Sequence, residues 1–225
     1  MKNIFSRLKD IVTRTGTALI LGAFFWLAFI YAPPFVFTGI LIGILGYIIT
    51  FELTTLFPVY SRRAWLILPW YPIVPFAMLI YLNHYTEYRS LLFMLFIIIS
   101  SLDTGSYLVG SLIGKHLIMP SVSPHKSWEG FIGGYLFACI GVLWVMWEMD
   151  AIKPWWFIMG FTLIICLLGL FGDLFESWLK RMARVKDSGD ILPGHGGFLD
   201  RFDGFLFAVF FFFLLRNWLI VCFQG

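Results

Sequence analysis

The chain has 225 residues, of which 60% are hydrophobic, 20% aromatic and 13% charged, with a formal net charge of +3. This excludes an ordinary soluble domain, where about a quarter of residues are charged. Apolar runs of about 20 residues, without short alternating strands, predict an all-α, polytopic helical membrane protein; the bases are not gathered on a soluble face, so no nucleic-acid partner is expected.

The first 14 residues hold Lys2, Arg7, Lys9 and Arg14 among Ile4, Phe5, Leu8, Ile11 and Val12. That pattern suits a short amphipathic helix at the membrane surface. The apolar run from Gly16 to Ala32 has the outline of a signal peptide. Cleavage after Ala32 would place Ile30 at the −3 position, where a small residue is required, so a retained first helix is expected. About seven transmembrane helices are predicted, at roughly 16–32, 34–56, 64–82, 90–113, 128–148, 154–180 and 203–223. Pro33-Pro34 predicts a tight first hairpin, and Pro69, Pro72 and Pro75 a kinked third span. Gly39/Gly43, Gly110/Gly114 and Gly130/Gly134 are small residues four apart, which let helices approach closely. Cys139, Cys166 and Cys222 each lie in an apolar run and read as packing residues, with no disulfide framework or thiolate metal set. Trp65, Trp70, Trp155 and Trp156 fall near predicted span ends, where aromatic belts form. The whole chain reads as one integral membrane domain, with N-terminal helices over 1–100 and the chemistry in 100–225.

The distribution of bases orients these spans. With the N-terminus cytoplasmic, thirteen of the sixteen Lys and Arg residues fall inside, and only Arg89, Lys153 and Arg216 outside. Both polar loops, 114–127 and 181–200, then face the cytoplasm.

Charge is concentrated in residues 171–205, which hold six of the thirteen acids and five of the sixteen bases. An Asp or Lys at the centre of a membrane helix costs about 2.5–3.5 kcal/mol on insertion scales. Such a cluster persists where it pairs internally, meets water, or holds an ion or charged substrate. Asp173, Ser177, Lys180 and Arg184 are spaced to share one helical face. A helix emerging from the membrane explains Lys180, Arg181 and Arg184, but not Asp173, about two turns deeper. The loop Leu192-Pro193-Gly194-His195-Gly196-Gly197-Phe198 can turn sharply and offer backbone N–H groups to an anion. It is flanked by Lys186-Asp187 and by Asp200-Arg201-Phe202-Asp203. Asp200 and Asp203 share a face at the start of the last span; a helix-dipole role accounts for one acid, not for both plus Asp173. Three converging carboxylates repel unless cations bridge them, and carboxylate donors with retained water suit Mg²⁺. No His/Cys set for zinc is present.

The other polar loop adds Asp103, inside an apolar span and therefore a functional candidate. Ser123 and Lys126 are suitable phosphate donors. Lys115, His116 and His125 read as loop solvation, and Glu129 either caps the fifth span or joins the site. Acids for divalent cations, bases for phosphates and a Gly-rich loop at the lipid boundary suit transfer between a nucleotide and a lipid phosphate.

The run Ser177-x-Leu179-Lys180-Arg181-x4-Lys186-Asp187-x-Gly189-x2-Leu192-Pro193-Gly194-His195-Gly196-Gly197-Phe198-x-Asp200-Arg201-Phe202-Asp203 resembles the phosphatidate cytidylyltransferase (CDP-diacylglycerol synthase) family. The upstream block Asp103…Tyr107…Gly110…Gly114-Lys115…Ser123-Pro124-x-Lys126-Ser127-x-Glu129-Gly130 is similar too, with Ser127 where threonine is usual. The resemblance covers about residues 100–205. It implies that CTP and phosphatidate give CDP-diacylglycerol and pyrophosphate, at the cytoplasmic face of a bacterial inner membrane. By the same resemblance Asp173 and Asp200 would hold Mg²⁺, with Asp203 beside them and K⁺ as a second ion. Lys180, Arg181, Lys186 and Arg201 would neutralise phosphates, and Asp187 is a further catalytic candidate beside them. His195 would order the loop or touch a phosphate, because the attacking phosphate oxygen is already anionic. Asp103, Ser123, Lys126, Glu129, Ser177, Gly196 and Gly197 would line the substrate site. Membrane lipids and a second copy of the chain are the remaining candidate partners. A CTP-dependent polyprenol or phytol kinase, or an ether-lipid cytidylyltransferase, would use the same groups. A cation transporter fits less well, since the acids lie toward one membrane face and not at its midplane.

Overall fold

The computed structural model describes residues 22–57, 66–67, 69–189, 191 and 196–224. The expected surface helix over 1–14 lies outside them. Helix α1 covers Gly22–Tyr31 and α2 covers Pro34–Leu56. The Pro33-Pro34 hairpin is present: Pro34 is the first residue of α2, where its missing N–H forfeits no bond. Toward its end α2 widens into a π-helical turn over Ile48–Glu52 and resumes as α-helix over Leu53–Leu56. The hydroxyls of Thr50, Thr54 and Thr55 donate to carbonyls of Gly46, Phe51 and Glu52 at 2.8, 2.7 and 2.6 Å in and around that turn.

The proline-rich third span is more broken than a kink. Pro69–Ile73 forms an irregular turn with an extended Tyr71 and a cis Tyr71–Pro72 bond, and regular helix follows as α3, Val74–His84. Helix α4 spans Thr86–Ile113. The loop expected over 114–127 is instead a hairpin. Strand β1, Leu117–Met119, pairs antiparallel with β2, Ser123–Ser127, Leu117 facing Ser127 and Met119 facing Ser123. Then come α5, Trp128–Glu148, and α6, Trp155–Met182. Helices α7, Leu199–Leu214, and α8, Arg216–Gln224, replace the expected last span with a pair bent by 78°. Arg216 stands at the break. Its Nη1 donates to the Phe213 carbonyl at 2.7 Å, and its guanidinium lies over the Tyr81, Tyr88 and Phe213 rings.

Four helices, α2, α4, α5 and α6, are long and apolar enough to cross a membrane, and a fifth if the bent pair counts as one span. This is a polytopic helical architecture with four or five candidate spans among the described residues. Trp155 and Trp156, at the start of α6, are exposed as an interfacial belt requires.

The chain divides into two compact units, one of Met1–Phe76 with Leu179–Phe202, the other of Ala77–Trp178 with Asp203–Gly225. In the first, Phe37 is fully buried, with Phe25 and Phe29 edge-on against it at 6.4 and 5.3 Å. Phe202 joins this core against Phe76, ring centroids 5.2 Å apart. In the second, α4 and α5 pack backbone to backbone. A Cβ at Gly105 would stand 2.8 Å from the Gly134 Cα, and one at Gly134 would stand 2.4 Å from the Leu102 carbonyl oxygen. The Gly130/Gly134 pair thus does what small residues do in membrane helices. Gly39 and Gly43 face open space.

Candidate active site

The second unit contains a cavity of about 250 Å³. Leu102, Asp103, Ser106 and Tyr107 of α4 line it, with Ile118, His125, Lys126 and Ser127 of the hairpin, Gly130 and Phe131 of α5, and Leu170 and Asp173 of α6. Close α4–α5 packing brings Ser106 and Gly130 to the same wall. The hairpin projects Lys126 into it, where the ammonium forms an ion pair with Asp173. Asp203, at the start of α7, lies within hydrogen-bonding reach of the Asp173 carboxyl, and the fully buried Glu176 is close by. Burial alone would lower the Lys126 pKa; Asp173, then Asp203 and Asp103, outweigh it and hold the ammonium above its usual range.

Two further predicted residues sit near this cavity without lining it. Ser123 is buried at the end of the hairpin, opposite Met119. Glu129 takes the Nδ1 of His116 at 2.5 Å and accepts the backbone N–H groups of Lys115 and His116 at 3.1 and 3.2 Å. It therefore fastens the Lys115–His116 segment to the start of α5. His116 and Lys115 are tied as well as solvated. The α5 N-cap is Ser127, whose Oγ accepts the Gly130 N–H at 3.1 Å.

The first unit holds a second polar network, around Asp200. Its carboxylate takes Lys180 Nζ at 2.5 Å, the Ser188 N–H at 3.0 Å and hydroxyl at 2.9 Å, and the Gly197 N–H at 2.8 Å. Lys180 does not snorkel to water here; it is largely buried in this pair. Gly196 has φ +77°, and a Cβ there would stand 2.4 Å from Asp200 Oδ2. One at Gly197 would stand 2.4 Å from the Ser188 hydroxyl and 2.5 Å from Glu52 Oε1. Space requires glycine at both, and conformation requires it at Gly196. In this arrangement the Gly197 N–H, read from the sequence as an anion donor, is directed at a protein carboxylate.

Sequence reasoning passed over Glu52, which is 1% exposed. It accepts the N–H groups of Phe198 and Leu199, each at 2.7 Å, and the Ser188 hydroxyl at 3.3 Å. Thr55, one turn on, donates to the Ser188 carbonyl at 2.7 Å. The signal was present, since a lone acid in the apolar run IITFELTTLF is as anomalous as Asp103 or Asp173. Glu176 falls within the charged cluster of 171–205 but carries no site role in the sequence reading.

The predicted face of Asp173, Ser177, Lys180 and Arg184 loses its last member, which lies two residues beyond the helix end. Helix α6 ends at Met182, and Arg184 has φ +59°. Its N–H reaches the Arg181 carbonyl at 3.1 Å, and the Val185 N–H reaches that of Lys180 at 3.0 Å. These two bonds form a Schellman ending, with Arg184 at the left-handed position usually given to glycine. Arg181, Lys186, Asp187 and Arg201 are exposed around the network, and Ser177 is half-buried on α6. His195 lies outside the described residues.

The sequence profile of the cytidylyltransferase family matches residues 59–219. The chain belongs to the cytidylyltransferase family. The phosphatidate cytidylyltransferase of Staphylococcus aureus strain COL is 50% identical over 114 residues, 51% of this chain and 44% of that relative. Proteins of the same name from Staphylococcus saprophyticus and Staphylococcus haemolyticus are 46% identical over stretches of the same length. The matched stretch is thus less than half the length of these relatives. In this cytidylyltransferase-family chain, residues 59–219 include Lys126, Asp173, Lys180, Asp200 and Asp203, whereas Glu52 precedes the matched region.

Proposed function

We propose that this chain transfers the cytidylyl group of CTP to phosphatidate, giving CDP-diacylglycerol and pyrophosphate. The observation that carries the reading is the acid pair Asp173 and Asp203 facing Lys126 at a cavity whose other walls include Leu102, Phe131 and Leu170. Such a site offers a cation for phosphate, acids for a counter-ion, and apolar surface for a lipid. In the reaction a phosphatidate oxygen attacks the α-phosphorus of CTP, and the bond to the pyrophosphate leaving group breaks. The attacking oxygen is anionic at neutral pH, so no side chain need remove a proton. The protein's work is then positioning and charge neutralisation.

Mg²⁺ fits the donor set. Asp173 and Asp203 provide only oxygen ligands, and Mg²⁺ commonly takes one or two carboxylates from protein, with water and phosphate oxygens completing its shell. Among the described residues no group of three or more His, Cys, Asp and Glu is gathered as a metal site, so these two acids would be the protein's share. Bound there, the ion would neutralise phosphate charge and orient the triphosphate. For Asp200 and for a companion K⁺, support comes from the motif; the Asp200 carboxylate is engaged by Lys180 and two backbone amides. Lys180, Arg181, Lys186 and Arg201 serve in this reading as phosphate partners. The distribution of bases supports a cytoplasmic N-terminus and a cytoplasmic site in the inner membrane.

The test is purified protein in detergent with CTP, phosphatidate and Mg²⁺, read by product mass. CDP-diacylglycerol should form, EDTA should stop it, and Asp173→Asn should reduce turnover by at least about a hundredfold while the protein still inserts. Label from the α-phosphate of CTP should enter the lipid; entry of the γ-phosphate instead would make the chain a lipid kinase.

A further inference from the structure

Glu52 sits outside the family's matched region, yet its carboxylate reaches across 146 and 147 residues of sequence to the Phe198 and Leu199 amides. These amides open α7, whose first N–H groups lack intrahelical acceptors and require a partner elsewhere. An acid there is favoured both by the hydrogen bonds and by the helix dipole. The Ser188 hydroxyl lies between two carboxylates, 3.3 Å from Glu52 and 2.9 Å from Asp200. Glu52 thus touches the same short segment that encloses Asp200, from the opposite end of the sequence. The π-helical turn that ends on Glu52 is a feature often found at functional sites, and it sets the face on which the carboxylate emerges.

We propose that Glu52 is a positioning residue for the transfer reaction, gripping the start of α7 and Ser188 so that the Gly196–Leu199 segment and Asp200 stand where turnover needs them. This inference rests on the function proposed above. Glu52 is not assigned contact with CTP or phosphatidate; it acts through the loop. Its carboxylate accepts from two amides at once. A glutamine offers one oxygen and turns an NH₂ toward the other amide, whereas Glu52→Asp keeps both oxygens on a shorter arm.

The experiment uses the full chain in detergent. Amide exchange across residues 196–202 is measured by mass spectrometry without substrate, and kcat and KM for CTP are measured with phosphatidate and Mg²⁺. In Glu52→Gln, exchange at Phe198 and Leu199 should rise at least about tenfold, and kcat should fall about a hundredfold, the scale of an ångström's misplacement, with KM within about threefold. Glu52→Asp should recover part of the loss. Ser188→Ala, which leaves both amide bonds in place, should lower kcat less, and it decides the matter together with Glu52→Asp if Glu52→Gln does not fold. A wild-type kcat in Glu52→Gln, or unchanged exchange at 198 and 199, would overturn the positioning role. If the two fallback variants decide, wild-type kcat in both would overturn it equally. A wild-type chain that forms no CDP-lipid, while exchange still responds to Glu52, would overturn the function proposed above rather than the contact.

Discussion

Lys126 carries its charge on a two-stranded hairpin into a group of acids, and its chemistry follows from that company. Its pKa is raised above the usual 10.5, so the ammonium is fully present below that value and is lost only as pH climbs through the higher one. Activity between pH 7 and 9.5 should therefore show no step from this residue. Lys126→Arg, which cannot deprotonate, should give a profile parallel to wild type; a wild-type decline in that range that the arginine variant lacks would refute the raised value. Lys126→Ala should lower kcat/KM by about a hundredfold, measured by product mass, because the acids lose their fixed counter-charge. Asp103 and Asp173 were legible as candidates because charge inside an apolar span is anomalous, and Lys126 because a lysine in a polar loop suits a phosphate. The same signal is present at Glu52, which the resemblance over residues 100–205 does not reach, and at Glu176, which the sequence reading counts in the charged cluster without a role. The partners of all these groups were not legible, since hydrogen bonds between residues 52 and 198 leave no trace in local sequence.

At the scale of elements, the long apolar helices were readable and their endings were not. Helices α4, α5 and α6 lie within a few residues of their predicted spans, because length and hydropathy are local properties. The end of α6 depended on Arg184 taking a left-handed conformation that its side chain disfavours by about 1–2 kcal/mol. Arg184→Gly should therefore stabilise the protein by up to about 1 kcal/mol, read as a higher thermal midpoint in detergent. Transferase activity should be unchanged, because the motif places no constraint at position 184. A lower midpoint would mean that the arginine side chain makes a compensating contact. The segment 114–127 looked like a loop because its strands are three and five residues long, too short for alternation to declare itself. The bend between α7 and α8 escaped notice for a different reason. Phe211 to Leu219 reads as nearly continuous apolar sequence, and only the structure shows the three rings gathered around Arg216 at the break.

For the whole molecule, orientation is the property most open to test. With α4, α5 and α6 as successive spans, Lys115 and Lys153 should lie on opposite sides of the membrane, Lys115 inside. Single cysteines placed by Lys115→Cys and Lys153→Cys in a cysteine-free chain should differ in labelling by an impermeant maleimide on intact spheroplasts, with only position 153 reacting. Labelling at 115 alone would invert the proposed topology and put the site on the outer face. Composition by itself determined a helical membrane class, because hydropathy sums over the chain whatever its contacts. The motif by itself named the residues proposed to bear the chemistry, because their types and spacing are written in order. Only the tertiary structure decided how the charged groups are partnered: Asp173 with Asp203 and Lys126, Asp200 with Lys180, and Glu52 with the start of α7. A buried charge is stabilised by whatever the fold brings within about 3 Å of it, and that proximity is set by packing between segments far apart in the chain.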